Sequence, residues 1–106
     1  MATGGHQAPL AGGETAAVTV TGLGDVPTNG VTAVALNVTG VSPTANTYLT
    51  VWPSGVARPL ASNLNLVPGA VQPNMVIAKV VNGKVDIFNF AGSTDVVVDV
   101  VGYFSG

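Results

Sequence analysis

The chain contains no cysteine, which excludes disulfide bridges and thiolate metal sites. Charge is nearly as scarce. Three basic residues (Arg58, Lys79, Lys84) and five acidic ones (Glu14, Asp25, Asp86, Asp95, Asp99) make up 8% of the 106 residues. Soluble proteins average about 25%. Three scattered cations cannot neutralise a run of phosphates, so nucleic acid is excluded as a partner. No apolar run of about 18 residues escapes interruption by Gly, Pro or Asn, so no transmembrane helix and no membrane insertion are expected. The single histidine, His6, sits in a Gly- and Pro-containing N-terminal stretch where nothing would orient it as a base. Helical periodicity is missing throughout.

What is present is apolar and turn-rich. Hydrophobic residues are 47% of the chain, with 14 Gly and 7 Pro, and the mean hydropathy is +0.52. That supplies the core of one domain and excludes disorder, which goes with few apolar residues and many charges. The opening MATGGHQAPL lacks the basic and apolar regions of a secretory leader, so either a segment not included here handles export or, the favoured expectation, Met1 is an artificial start. Residues 1–11 are expected to form a flexible arm, and residues 12–106 a single domain.

Seven runs alternate like half-buried strands: Thr15–Thr21, Thr32–Thr39, Thr47–Trp52, Ala61–Leu66, Asn74–Val81, Lys84–Phe90 and Asp95–Phe104. They are rich in Val and Thr, whose branched side chains suit a pleated surface. Every spacer holds Gly, Pro or Asn. Asn82–Gly83 is the strongest hairpin signal, a two-residue type I′ turn. The stretch AVALNVTG…TYLTVWPSG echoes NMVIAKVVNG-KVDIFNFAGS in strand–turn–strand rhythm, as any two hairpins would. With no crossover helices, parallel sheets are excluded. The expected fold is all-β, an antiparallel β-sandwich of about seven strands, with a small jelly roll or Greek-key barrel as the alternative.

Few residues could carry chemistry. Asp95 and Asp99 lie four apart in one strand, about 13 Å by the strand rise, wider than either glycosidase geometry. With Asp86 they read as charges that keep sheet surfaces from aggregating. No acidic run resembles a calcium loop, so neither metal nor cofactor is expected, and no catalytic residue. Asn37-Val38-Thr39 matches a glycosylation sequon, read as incidental in mid-strand. The richest stretch is Tyr48–Asn65. Tyr48 and Trp52 share one strand face, followed by Arg58 and the amides of Asn63 and Asn65. Flat aromatics beside amide and guanidinium groups suit a sugar, whose ring stacks while its hydroxyls are bridged. Equally, Trp52 caps the core and the Asn side chains tie down loops.

YLTVWPSGVARPLASNLNL, followed by QPNMVIAKVVNGKVDIFNFAGSTDVVVDVVGYF, resembles a module common in secreted and cell-surface proteins of actinobacteria. The likeness covers roughly residues 9–104. It is carried by Tyr48, Leu49, Thr50, Val51, Pro53, Gly55, Arg58, Pro59, Ser62, Asn63, Leu64 and Asn65, then Pro73, Asn74, Gly83, Lys84, Val85, Asn89, Asp99, Gly102, Tyr103 and Phe104. The resemblance implies a non-catalytic, extracellular or cell-surface β-rich appendage without a settled ligand. Such modules usually begin with an Arg/Asp-containing first strand. MATGGHQ stands in that place here, which leaves either the sheet one strand short or the chain trimmed at this end.

Two functions are therefore expected of a protein that is not an enzyme. The first is binding of a carbohydrate or cell-wall glycan through Tyr48, Trp52, Arg58, Asn63 and Asn65. The second is a structural, self-associating module forming a homo-oligomer, because a chain this poor in charge has little to keep its copies apart.

Overall fold

The computed structural model describes residues 2–5, 9–22, 26–80 and 82–105. Its strands are β1 (Ala2–Gly5), β2 (Leu10–Ala11), β3 (Thr15–Thr19), β4 (Val31–Val41), β5 (Thr47–Pro53), β6 (Leu64–Leu66), β7 (Val71–Lys79), β8 (Lys84–Asn89) and β9 (Ser93–Ser105). The described residues contain no helix. Each of the seven alternating runs forms a strand, β3 to β9, and the two-layer sandwich is as expected.

The N-terminal arm is a correction. Ala2–Gly5 pairs with Val97–Asp99 of β9, and Leu10–Ala11 pairs with Ser93–Thr94 further along the same strand. Leu10 is fully buried. A backbone ladder needs no apolar side chains, so the Gly-rich composition concealed a strand. The two pieces fill one edge position beside the 13-residue β9, so the sheet is not short of a strand. His6 lies outside the described residues.

Sheet I runs β1-β9-β4-β7, with β2 also on β9, and sheet II runs β3-β8-β5-β6. Each pairing is antiparallel. From β2 onward the chain changes sheet at each connection except β5 to β6. This interleaving is jelly-roll connectivity, the arrangement held as the alternative.

The hairpin expected at Asn82–Gly83 is a second correction. Both residues have positive φ, 54° and 73°, as a type I′ turn requires. Yet β7 pairs with β4, while β8 pairs with β3 and β5. The turn therefore hands the chain from one sheet to the other. Turn chemistry fixes a local bend, and the partner strand is chosen by which face each strand must bury. The sequence echo has the same meaning. Each unit crosses from sheet I to sheet II, and the units pair strand for strand, β4 with β7 and β5 with β8.

Between the sheets the core is aliphatic, built from Val34, Leu36 and Val38 of β4 against Leu49, Val51, Val85 and Ile87, with Leu64, Leu66, Val96 and Val98 around them. Gly40 occupies an inward position on β4. A Cβ there would stand 2.5 Å from Leu66 Cδ1 across the core, so the missing side chain makes room for Leu66. One polar residue closes an end of the core. Asn89, fully buried, donates from Nδ2 to the carbonyls of Leu10 (2.8 Å) and Gly92 (3.2 Å) and accepts from Thr47 Oγ1 at 2.6 Å. Its amide pins β2 to the sandwich.

Candidate functional site

The outer side of sheet II carries four of the six aromatic residues, Tyr48, Trp52, Phe88 and Phe90. Alternation sends Leu49 and Val51 of β5 inward, and Tyr48, Thr50 and Trp52 outward. On β8 it sends Val85 and Ile87 inward, and Asp86 and Phe88 outward. An outward face should be wet, but Thr50, Trp52 and Phe88 are buried. Residues 54–63 fold back over them. The indole Nε1 of Trp52 donates to the Val56 carbonyl at 2.8 Å, and Thr50 Oγ1 donates to the Ala61 carbonyl at 3.0 Å. The Arg58 guanidinium lies 3.8 Å from the centre of the Phe88 ring, a cation–π contact. Ser54 Oγ donates to Asp86 at 2.6 Å.

Asn63 ends the segment. Its backbone N–H donates to the Leu49 carbonyl at 2.8 Å, and its Oδ1 accepts the Val51 N–H at 2.7 Å. The side-chain carbonyl thus replaces the rung that β6, only three residues long, does not supply. Asn74 of β7 donates to the Asn63 carbonyl and ties the segment to the other sheet.

The five residues expected to contact a sugar therefore divide. Trp52 is 5% exposed and sandwiched between sheet II and the covering segment, so its ring offers no free face for stacking. It is also not a cap on the inter-sheet core, which lies on the opposite side of β5. Asn63 spends its oxygen on the Val51 amide. Tyr48 is half-buried, stacked on Phe90 with ring centres 4.8 Å apart and planes 16° apart. Asn65, its cross-strand partner, is exposed, as is Arg58. Phe90, 54% exposed, was missed as a site residue. Its signal was in the sequence, because Phe88 and Phe90 follow the outward parity of Asp86.

A second surface was also missed. The outer face of sheet I consists of Lys79, Ile77, Met75, Pro73 and Val71 on β7, Ala33, Ala35, Asn37, Thr39 and Val41 on β4, and Phe104, Gly102, Asp99, Val97 and Asp95 on β9. Ile77 is 67% exposed, Val71 65%, Met75 56%, Phe104 50% and Val97 39%. The sequence signal was apolar residues on both parities. Met75 and Ile77 interleave with the buried Val76 and Ala78, and Val97 lies between the buried Val96 and Val98. In an antiparallel sheet, that pattern marks a strand apolar on both faces.

Among the described residues, the acidic side chains of these faces are dispersed. Asp95 and Asp99 lie on the outer face of sheet I, and Asp86 lies on that of sheet II beside Ser54. Among the described residues, no three of His, Cys, Asp and Glu come together where they could hold a metal ion.

No family model, curated protein or solved structure matches the chain.

Proposed function

We propose that the chain is a non-catalytic interaction module whose working surface is the outer face of sheet I, and that it acts outside the cell. The extracellular setting rests on the resemblance to secreted actinobacterial modules. The docking role rests on one observation. Five large apolar side chains stand 39–67% exposed on one sheet face, where Lys79, Asp95 and Asp99 are the charged residues among the described ones. Monomeric proteins rarely expose contiguous apolar patches larger than a few hundred Å². The folded chain should therefore enhance the fluorescence of a hydrophobic-surface dye such as ANS. Ile77→Lys should remove that signal and leave the circular dichroism melt unchanged. A native chain that leaves the dye dark would sink the reading.

Glycan binding is supported by a different observation, the stacked Tyr48–Phe90 pair with exposed Asn65 beside Tyr48 and Arg58 over Phe88. This moves the stacking platform from Trp52 to Phe90. Titration with soluble cell-wall oligosaccharides, followed by NMR, should perturb Tyr48 and Phe90 and fail in Phe90→Ala. Shifts that survive that substitution would remove the platform.

A further inference from the structure

We infer that the ligand of the Tyr48–Phe90 platform is an acidic glycan, a chain of sugars bearing carboxylates, with the Arg58 guanidinium as its charge partner. The inference rests on the reading of Tyr48 and Phe90 as a stacking platform, and it names the class of sugar that the platform takes. Three observations carry it.

The first is a row of rings with one open face. Phe88 and Phe90 share the outward parity of one strand line and stand about 7 Å apart by the strand rise. Tyr48 lies against both, its ring centre 6.2 Å from that of Phe88 and 4.8 Å from that of Phe90. Phe88 is buried. Phe90 has Tyr48 on one face and is still 54% exposed, so its opposite face meets solvent. A ring held in place by a second ring is what the apolar face of a pyranose packs against. The exposed amide of Asn65, across from Tyr48, both donates and accepts, as sugar hydroxyls require.

The second is an uncompensated cation. Arg58 is exposed, and its contact within the protein is the Phe88 ring at 3.8 Å. Among the described residues it has no ion pair, and its N–H groups have no protein acceptor. The ring contact fixes the guanidinium one side-chain row from Phe90, with its five donors open to a carboxylate, which such a fork binds through two hydrogen bonds. A carboxylate on the stacked sugar, or on its neighbour in the chain, reaches that position.

The third is where the acids lie. Asp86 is on the side of Phe88 away from Phe90 and accepts the Ser54 hydroxyl at 2.6 Å. Glu14, whose carbonyl accepts from the Asn89 N–H, turns its carboxylate to the Ala11 N–H at 2.8 Å. Among the described residues, the row that holds Tyr48, Phe90 and Asn65 has no carboxylate to repel an anion.

NMR titration with tetragalacturonate and with its methyl ester, the same rings without the charge, tests the inference. The acid should shift the Tyr48 and Phe90 resonances and bind about two- to fivefold tighter than the ester, the range of an exposed ion pair. The difference should narrow as ionic strength rises from about 0.01 to about 0.15 M. Arg58→Gln should erase it and leave the affinity for the ester, while Arg58→Lys should keep part of it. Lys84→Gln makes the same change in net charge two rows from Phe88 and should keep all of it. Unchanged Trp52 emission reports that residues 54–63 stay in place in each variant.

Equal affinity for acid and ester, with shifts that depend on Phe90, would overturn the inference and leave the platform standing. A preference for the acid that survives Arg58→Gln would overturn it too. Silence toward both probes would also overturn it, and titration with cell-wall oligosaccharides then decides the platform by itself.

Discussion

Replacing Trp52 with Ala distinguishes a structural indole from a ligand-binding one. The ring is 5% exposed and donates its N–H to the Val56 carbonyl at 2.8 Å, between sheet II and residues 54–63. Truncating a buried Trp or Phe to Ala costs about 3–5 kcal/mol. Here the lower end applies, about 3 kcal/mol, because one wall of the resulting cavity is a loop that can settle inward. At about 4–8 °C per kcal/mol for a domain near this size, the melting temperature should fall by roughly 12–24 °C. Trp52→Phe keeps most of the packing and loses the hydrogen bond, so it should cost about 1–2 kcal/mol.

Thermal and urea unfolding followed by circular dichroism measures both variants. The sole tryptophan also reports directly in the wild type. Its emission should be blue-shifted and poorly quenched by acrylamide, and both features should vanish on unfolding. A Trp52→Ala variant as stable as the wild type, together with red-shifted and easily quenched wild-type emission, would refute the covering segment and return Trp52 to the surface.

Two further substitutions test the sandwich itself. Asn89→Ala removes the donors to the Leu10 and Gly92 carbonyls and the acceptor for Thr47. Stranding buried polar groups costs about 1–3 kcal/mol each, so a loss of about 3 kcal/mol is expected in urea unfolding, with faster hydrogen exchange at Leu10 and Ala11. Gly40→Val would push a branched side chain into Leu66, 2.5 Å from the position of the new Cβ. Overpacking of this kind costs about 1–3 kcal/mol, to be read from the melting temperature, and Leu66→Ala in the same chain should recover part of it.

The YLTVWPSGVARPLASNLN stretch shows how a motif can be clear in sequence and obscure in meaning. Trp52, Arg58 and Asn63 were visible as a group of aromatic, cationic and amide residues, and the structure does bring them to one side of sheet II. Their hydrogen-bonding and stacking capacity is turned inward, to the Val56 carbonyl, the Phe88 ring and the Val51 amide. The same residue types suit a sugar or a loop, because both present carbonyls, N–H groups and flat faces. Only the positions of residues 54–63 separate the two uses. Phe90 followed the outward parity of β8 yet was passed over, since parity does not say which outward positions stay uncovered.

The sequence by itself determined the alternating strands β3, β4, β5, β8 and β9 and their inward faces. Alternation at a period of two is a local property, written into Val34-x-Leu36-x-Val38 and Val96-x-Val98-x-Val100 whatever those strands pair with. It also determined the positive-φ turn at Asn82–Gly83, because that backbone geometry belongs to the two residues themselves. Tertiary structure alone decided that this turn bridges two sheets, that the Gly-rich N-terminus completes an edge, and that Trp52 lies under a loop while Ile77 and Met75 face solvent. Those outcomes depend on contacts between residues far apart in the chain. There, the free energy of burying a face is shared among several strands, and no local run of residues contains it.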